Sequence, residues 1–308
     1  MLQKWKLFSR AYGPNDMGKN AVILVDKGEG ITSFDCLGRI KRNINRKTGH
    51  CGTLDKFAHG LMIVLCGSFT HLVPVFMDMD KTYEAEIEFG KMTVTLDPEG
   101  ETVETGPVPD AQTVRKAVES FVGPQVQIPP AYSAIHINGK RSYQMARNGE
   151  TGLELQGRDI NIYSAEFISW DAPVLKVRLN VSKGTYIRSY ARDIGHACGS
   201  CAYVRKLYRT QIGPFSVSEA IGYDDEQAMK GIGDGEDLIK RISGCCELEI
   251  SEEEAFKASN GYVRNSVRAR IPQGSRFAIL KQQGRTVCIY SVADGHILCQ
   301  VRDGEYNP

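Results

Sequence analysis

One carboxylate stands alone in a stretch whose residue types suit catalysis. The stretch GHCGTLDKFAHG, residues 49–60, holds Asp55 among glycines, close to His50 and without a second acid. Glycines let the backbone turn tightly and approach a ligand closely. A carboxylate on such a loop can act as a nucleophile or as a general base. It can equally serve as a turn or helix-cap residue, and this stretch alone leaves both interpretations open.

Two further stretches carry groups that could work with such a carboxylate. In SKGTYIRSYARDIG, residues 182–195, Arg188 follows a turn and could pair with a carboxylate from elsewhere, which would keep that carboxylate ionised. Tyr186 in the same stretch could stack on a flat ligand. In DKTYEAEIEFG, residues 80–90, Tyr83 could stack on a base or take a proton. The alternatives are a surface arginine and core tyrosines.

Metal and cofactor motifs are weak or missing. Cys198-x-x-Cys201 resembles half of a zinc site, but no second matching pair accompanies it, and the adjacent Cys245-Cys246 suits tetrahedral ligation badly. No HExxH, GxxxxGK[ST] or GxSxG motif occurs, and no GxGxxG follows a predicted strand. We therefore expect no metal and no cofactor.

Composition is that of an ordinary globular protein. Of 308 residues, 42% are hydrophobic and 24% are charged, which allows a sizeable core. No apolar run approaches the length of a membrane span, and the first residues lack a signal-type apolar core. Together with nine scattered cysteines, this predicts a cytoplasmic protein with reduced thiols and no membrane association. A monomer is the default expectation.

Positive charge is concentrated in two places although the formal net charge is only +1. Residues 36–54 contain five basic residues and no acid, and residues 181–210 contain six basic residues against Asp193 alone. Two basic patches in a near-neutral chain can bind a polyanion locally.

Hydrophobic periodicity predicts the elements that carry these groups. NAVILVDKGEG, residues 20–30, reads as a buried strand, and TSFDCLGRIKRNI, residues 32–44, as a helix with Ser33 as its cap. LMIVLCG, residues 61–67, reads as a second buried strand. The apolar stripe of the helix should face the core and its basic residues should face outward. The stripe comprises Phe34, Leu37, Ile40 and Ile44.

Later segments alternate between strands and helices without regular βαβ spacing. KTYEAEIEFG alternates strictly, with Tyr83 on the apolar face, TLDPEGE reads as a turn, and DAQTVRKAVESFVGP reads as a helix capped by Asp110. VLKVRLNV predicts a strand that leads into a helix after Gly184. PPAYSAIHINGKRSYQMARNGE, residues 129–150, should begin extended and become helical. The pattern favours an α+β fold with a mixed, largely antiparallel sheet.

Three regions are predicted along the chain. Residues 1–17 resemble a loose N-terminal extension, residues 18–244 a catalytic domain, and residues 245–308 a small β-rich domain with one helix and several short strands.

Taken in series, these stretches resemble the TruB family of bacterial tRNA pseudouridine synthases. VDKGEGITSFD, residues 25–35, is similar to the family's DKPxGxTS motif, and GHCGTLDKFAHGLMIVLCG, residues 49–67, to its GHxGTLDPxAxGxLxxxxG motif. DKTYEAEIEFG, PPAYSAIHINGKRSYQMARNG and SKGTYIRSYARDIG follow in the family's order. The resemblance covers about residues 20–220, and the tail is more weakly similar to the family's PUA-like domain. Five motifs in series make a chance match improbable.

The resemblance implies roles for particular residues. The family's catalytic aspartate falls on Asp55, its active-site tyrosine on Tyr83, and the arginine of its KGTYIR stretch on Arg188. Substrate-binding positions fall on His50, Tyr83, Tyr186 and Leu207, the last of which would line a uracil pocket. RNA-backbone contacts would come from the basic surface: Arg39, Lys41, Arg42, Arg46 and Lys183.

The implied activity is isomerisation of uridine 55 in the T loop of tRNA to pseudouridine. The base is flipped out, Asp55 acts as the nucleophile, and no metal or redox cofactor is needed. Arg188 would lower the pKa of Asp55 and offset its burial. The family usually has proline at Lys56, a small residue at His59 and proline at Gly28, so Lys56 would loosen the loop and add a cation near the carboxylate.

Two other readings stay open at this point. A dyskerin-like, guide-dependent synthase shares the catalytic motif, although the short chain lacks a basic low-complexity tail, so we expect the T-arm of tRNA as the partner and no guide RNA. A catalytically weak RNA-binding protein, which would help RNA to fold, is the alternative outside enzymes, and Lys56 and His59 give it some support.

Overall fold

The computed structural model describes residues 19–132, 136–137, 140–141, 155–225, 227, 229, 232–233 and 235–301. The predicted N-terminal extension and most of the predicted stretch at 129–150 lie outside these residues.

Ten strands form one mixed sheet, on which most of the motifs quoted above lie. Eight follow one another in the order β14-β1-β3-β12-β4-β11-β10-β7, while β2 pairs with β3 and β13 with β12. Only the β1–β14 and β3–β12 pairs are parallel among the described strands of this sheet. The predicted α+β fold with a largely antiparallel sheet is therefore confirmed. The strands are β1 (Ala21–Lys27), β2 (Thr48–His50), β3 (His59–Cys66), β4 (Lys81–Phe89), β7 (Gly123–Gln127), β10 (Arg158–Asp171), β11 (Val174–Val181), β12 (Ala202–Ile212), β13 (Phe215–Ser216) and β14 (Ile221–Gly222).

Helices cover one face of this sheet. We call it the front face, and the buried Tyr83 side chain lies on it. Three helices contribute to the front-face core: α1 (Ser33–Asn43), α3 (Ala111–Ser120), which Asp110 caps as predicted, and α4 (Ile187–Ala197). The remaining described helices are α2 (Val73–Met77), α5 (Glu236–Lys240), α6 (Glu252–Ser259) and α7 (Asn265–Arg268). Short strand pairs are β5 (Lys91–Thr93) with β6 (Thr102–Thr105), and β8 (His136–Ile137) with β9 (Lys140–Arg141).

The start of α1 differs from the prediction in two respects. Thr32, not Ser33, is the N-cap, because the Thr32 hydroxyl accepts from the Asp35 backbone and the Asp35 carboxylate accepts in return from Thr32, which forms a capping box. Ser33 points inward instead. Phe34 does not belong to the core stripe and is 69% exposed, whereas Leu37 and the rest of the stripe are buried as predicted.

A second sheet lies behind the first. Its strands, in the order in which they pair, are β15 (Cys245–Glu249), β16 (Phe277–Gln282), β17 (Arg285–Ser291) and β18 (His296–Gln300). One face of this sheet shares an apolar cluster with the back of β3, where Ile279 and Ile289 join Leu61 and Ile63. The other face forms a separate core with α6. The small β-rich domain is confirmed, while the boundary at residues 244–245 stays a prediction.

A bulge in β12 decides which of its side chains reach the front face. Val204 pairs with Ile87 of β4, but the next pair is Lys206 with Glu86, so Arg205 is an extra residue. Because side chains alternate along a strand, this insertion reverses the alternation. Leu207 thus lies opposite Ala85 on the front face, and Arg209 lies opposite Tyr83.

At Gly60, β3 and β12 approach each other so closely that no side chain fits between them. Its φ is +110°, and a Cβ there would lie 2.3 Å from the backbone oxygen of Arg209. We expect Gly60→Ala to lower the free energy of unfolding by about 3 kcal/mol, because backbone strain and a backbone clash add.

Gly184→Ala is the matched control for Gly60→Ala. Gly184 also has a positive φ, +80°, but nothing lies within 4 Å of its added Cβ. Chemical unfolding should therefore show a loss of only about 1–2 kcal/mol for this variant. Equal losses in the two variants would contradict the close strand approach at Gly60.

Candidate active site

Asp55 and Arg188, which come from distant parts of the chain, meet at the front of the sheet. The guanidinium of Arg188 donates from Nη2 to Asp55 Oδ1 at 3.2 Å, and its Nε lies 2.9 Å from Asp55 Oδ2. Both carboxylate oxygens are therefore within ion-pair distance of one guanidinium, and one of them accepts a charge-assisted hydrogen bond. The Arg188 side chain is 7% exposed and that of Asp55 is 37% exposed, so the carboxylate stays open to a ligand while its partner is buried.

A second carboxylate completes the surroundings of Arg188, and the sequence predicts it only as part of a turn. Asp97 lies between β5 and β6 and accepts from Arg188 Nη1 at 3.3 Å through Oδ2. The same guanidinium donates to the carbonyl oxygens of Thr95 at 2.9 Å and Tyr132 at 3.0 Å. Arg188 is therefore fixed from several directions, which leaves it little freedom to move away from Asp55.

The turn that presents Asp97 is itself unusual. Leu96 has φ +61°, a left-handed conformation that leucine rarely adopts. Its amide donates to Thr93 at 3.0 Å, and its carbonyl accepts from Val204 of β12 at 3.1 Å. Asp97 also accepts from the Thr95 hydroxyl at 2.5 Å and from the Glu99 amide at 3.0 Å. The surrounding contacts thus hold a strained backbone that aims Asp97 at Arg188.

The loop that carries Asp55 is tied to neighbouring elements mainly through its backbone. The Ser33 hydroxyl accepts from the Leu54 amide and donates to the Leu54 carbonyl, both at 2.9 Å. On the other side of Asp55, the Lys56 carbonyl accepts from the Gly30 amide at 2.9 Å and lies 3.4 Å from Nζ of the fully buried Lys27. These contacts fix the residues on either side of Asp55.

Electrostatics at Asp55 are a balance of opposing effects. Burial raises the pKa of the Asp55 carboxyl, Arg188 lowers it, the neighbouring Asp97 raises it, and Lys27 lowers it; the net result is an increase. Arg188 therefore lowers the pKa as expected, but it offsets the effect of burial only in part. Desolvation of the carboxylate is the larger effect.

Tyr83 and Leu207 lie side by side on the front face. Tyr83 of β4 is 9% exposed, and Leu207 of β12 is 6% exposed and pairs with Ala85, two residues from Tyr83. Tyr186 precedes α4 as its N-cap, and Gln127 of β7 bonds both its amide and its carbonyl. The fold thus places these three predicted substrate contacts on strands and a helix start next to Arg188.

His50 ends β2, five residues before Asp55, where it pairs with Val64 of β3. Burial first, and then the charge of Arg209, lower the pKa of His50. Its Nδ1 is buried and has no hydrogen-bond partner among the residues that the structure describes. Arg209 is one of the six basic residues of the second basic stretch, but it is buried in β12 and does not belong to a basic surface.

The predicted RNA-backbone residues lie mostly on and after α1. Lys41 lies over the exposed Phe34 ring at 5.0 Å, and Arg39 lies over the Tyr223 ring at 5.7 Å. Arg42 and Arg46 are exposed. Lys183 lies elsewhere, before α4, and pairs with Asp78 at 2.9 Å, so part of its charge is already matched.

The two residues that depart from the expected motif both have a place in the structure. The Lys56 side chain is exposed, and its backbone carbonyl makes the bonds that hold the loop. The ring of His59 stacks on Tyr208 with 4.4 Å between ring centroids and an angle of 18°. The expected loosening of the loop by Lys56 is thus opposed by backbone hydrogen bonds, and its effect on rate stays a prediction.

Residues 40–187 match the sequence profile of "TruB family pseudouridylate synthase (N terminal domain)". The tRNA pseudouridine synthase B of Borreliella afzelii is 42% identical over 206 residues, which cover 66% of this chain and 73% of that protein. The tRNA pseudouridine synthase B of Caulobacter vibrioides is 32% identical over 300 residues, which cover 93% of this chain and 94% of that protein.

Solved structures share the fold across both sheets. The crystal structure of a Cbf5-Nop10-Gar1 complex contains a chain that matches with a TM-score of 0.63 and 21% identity, over 93% of this chain and 84% of that one. The fold is that of a pseudouridine synthase with a small C-terminal β domain. Within this class, the extent and identity of the sequence matches decide the family: the chain belongs to the TruB family of pseudouridylate synthases, which are isomerases.

Two features are absent from the part of the chain that the structure describes. None of its helices is long and apolar enough to cross a membrane. Within the same residues, no group of three or more histidine, cysteine, aspartate or glutamate side chains is arranged to hold a metal ion, and Cys198 and Cys201 are free.

Titration of Asp55 should respond in opposite directions to its two charged neighbours. Arg188→Gln removes the cation and should raise the pKa of Asp55 further, whereas Asp97→Asn removes a like charge and should lower it. Carbon NMR of the aspartate carboxyl groups measures both. Asp171→Asn, at the exposed end of β10, is the control.

The sign of the linked stability change follows from the raised pKa. Because the folded pKa lies above the unfolded one, ionisation of Asp55 costs stability, and this cost disappears as the pH falls through the folded pKa. An Asp55 titration unchanged in both variants would contradict the charge balance described above.

Proposed function

We propose that the protein is a tRNA pseudouridine synthase that converts uridine 55 of the T loop into pseudouridine. The observation that carries the proposal is the partly exposed Asp55 carboxylate, which forms an ion pair and a hydrogen bond with the buried Arg188. Relatives named tRNA pseudouridine synthase B, which match over most of the chain, support tRNA as the substrate. The choice of the uridine within tRNA rests on the resemblance of the motifs.

The reaction rearranges bonds within one nucleotide. The bond between N1 of uracil and C1′ of ribose breaks, the uracil rotates, and a bond forms between C5 and C1′. The proton on C5 leaves, and N1 gains a proton, so atoms and charge balance without an added reactant. An enzyme needs a flipped-out base, a carboxylate in its ionised form and a group that takes the C5 proton.

Each of these tasks has a candidate residue. Asp55 supplies the nucleophile, and Arg188 favours its ionised form against the cost of burial. Tyr83 would stack on the uracil and take the C5 proton, while Leu207 would line the apolar side of the base. His50, with its unpartnered ring nitrogen, and Tyr186 would contact the rest of the flipped nucleotide.

The RNA backbone would lie across α1. Arg39, Arg42 and Arg46 all precede the Asp55 loop in the sequence. Phe34 is exposed, and Lys41 lies over its ring. Basic side chains with an interleaved aromatic ring suit a phosphate backbone with unpaired bases. Lys183 would join this surface only by exchanging its Asp78 partner for a phosphate.

We further propose that the enzyme acts as a monomer, in the cytoplasm, without a guide RNA. The identity to tRNA pseudouridine synthase B proteins is 32–42%, against 21% to the chain in the Cbf5-Nop10-Gar1 complex. The T-arm of tRNA is then recognised by the protein alone. The small domain would contact the tRNA outside the T loop.

The first test is an activity assay with purified protein and one unmodified tRNA transcript, in the presence of a chelator. We expect one pseudouridine, at position 55, when the sites are mapped by chemical adduct and primer extension. Asp55→Asn should reduce the single-turnover rate by at least about 10⁴-fold, because the nucleophile is lost.

Asp171→Asn serves as the control, since Asp171 is the exposed last residue of β10. Tight tRNA binding without product in the unmutated protein would support the alternative of an RNA-folding helper. Product only after addition of a guide RNA would support the guide-dependent alternative. Either result would overturn the proposal.

The RNA surface makes a separate prediction about salt. The logarithm of the tRNA affinity should fall linearly with the logarithm of the salt concentration, because each neutralised phosphate releases counterions. Replacing Arg39, Arg42 or Arg46 by glutamine should each reduce the slope by about 1.

Lys116→Gln, on the exposed side of α3, is the control for these variants. It should leave the slope unchanged. A slope near zero for the unmutated protein, or equal changes in all four variants, would contradict an RNA surface on α1.

A further inference from the structure

Arg209 is a buried cation that the proposed chemistry does not use. It is 1% exposed and is one of the largest fully buried side chains of the described chain. Its Nε donates to the Leu61 carbonyl at 2.7 Å, and its Nη2 donates to the Gly52 carbonyl at 3.1 Å. Gly52 precedes Asp55 and Leu61 follows it, so one guanidinium joins the two ends of the Asp55 loop.

We propose that Arg209 is a positioning residue that closes the base of the Asp55 loop and fixes the loop against the strand that carries Leu207. The proposal rests on the proposed function for its effect on rate, although its effect on the loop can be tested without any activity. Arg209 itself does not need to touch the substrate.

The energetics favour a geometric role over a stabilising one. Within the described residues, Arg209 makes no ion pair, and its side chain donates to two carbonyl oxygens. Burying an arginine without a carboxylate is costly, and an apolar side chain of similar volume would avoid that cost. What the guanidinium adds is a rigid planar fork whose donors point in fixed directions, so it can set the spacing of two carbonyl groups.

The backbone around Arg209 is shaped to admit this contact. Gly52 has φ +94°, and a Cβ there would lie 3.5 Å from Nη1 of Arg209. Gly60, at the other end of the loop, faces the Arg209 backbone so closely that no side chain fits. Gly60 therefore leaves room for the Arg209 backbone, whereas at Gly52, whose carbonyl the guanidinium bonds, it is the positive φ that favours glycine.

The position of Arg209 in the sheet connects the loop to the front face. Through the bulge at Arg205, Arg209 lies opposite Tyr83, and Leu207 lies two residues earlier on the same strand. A loop fixed to Arg209 is thus fixed relative to Tyr83 and Leu207 together. Small displacements of reacting groups cost large factors in rate, so such a link should matter for catalysis.

The test compares Arg209→Lys with Arg205→Lys, an exposed arginine of the same strand. Lysine keeps the charge but cannot reach both carbonyl groups with a fixed fork. For Arg209→Lys we expect the single-turnover rate of pseudouridine formation to fall about tenfold or more, while the Kd for tRNA changes by less than about threefold. Arg205→Lys should change neither quantity.

Hydrogen exchange provides the readout that a merely structural role would not give. In Arg209→Lys, exchange in residues 51–58 should accelerate at least about tenfold, while exchange in β4, residues 81–89, stays as in the unmutated protein. Equal acceleration in both segments, or a rate within twofold of the unmutated enzyme, would overturn the proposal.

Two further outcomes remain decisive. If the unmutated protein forms no pseudouridine, the proposed function fails, and hydrogen exchange alone still decides whether Arg209 fixes the loop. If Arg209→Lys does not fold, nitrogen NMR of the unmutated protein replaces it. The Nε proton of Arg209 should then exchange at least about 100-fold more slowly than those of exposed arginines, and exchange at their rate would overturn the proposal.

Discussion

The pair between Asp55 and Arg188 is the interaction on which the rest of the site depends. A buried guanidinium is tolerated only if its donors are satisfied, and the chain satisfies it with two carboxylates and two carbonyl groups. These acceptors come from the Asp55 loop, the turn after β5 and the residues after β7. Meeting the needs of one side chain therefore brings three separate loops to the same point, and it leaves one face of the Asp55 carboxylate open.

The second constraint is that the Asp55 loop must be held without side-chain partners that would compete for its carboxylate. The structure achieves this through backbone groups. Ser33 bonds both polar groups of Leu54, Lys27 lies against the Lys56 carbonyl, and Arg209 donates to the Gly52 carbonyl. Because the cations are buried and bond to carbonyl oxygens, they contribute positive charge near the loop while leaving Asp55 to Arg188.

Much of this could be predicted from sequence, for reasons that are local. Strict alternation in KTYEAEIEFG predicted the buried face of β4 with Tyr83, and the apolar run after Asp55 predicted β3. The pairing of Asp55 with Arg188 was expected only because both fall in motifs of one family. The roles of the basic residues and of Tyr186 and Leu207 stay predictions, since contact with RNA is what would test them.

What could not be predicted depends on contacts between distant residues. Asp97 lies in a polar turn, and nothing nearby in sequence indicates that it meets Arg188, which is 91 residues away. The bulge at Arg205 reverses the alternation of β12, so a period of two would place Leu207 on the wrong face. Thr32 replaced Ser33 as the cap because Ser33 has a better partner in Leu54, a contact made only after the chain folds.

The apolar cluster shared by the two sheets affects how the chain folds during its synthesis. Leu61, Ile63 and Leu65 are fully buried, and the tail's Ile279 and Ile289 lie in the same cluster. During synthesis β3 leaves the ribosome more than 200 residues before these partners do. Phe69, Leu72 and Phe76, which follow β3 directly, cover part of the back of the first sheet, but the part that the tail covers stays exposed for roughly 10–40 s at ordinary elongation rates. The nascent chain should thus depend on prompt completion, or on a chaperone, more than a self-contained domain would.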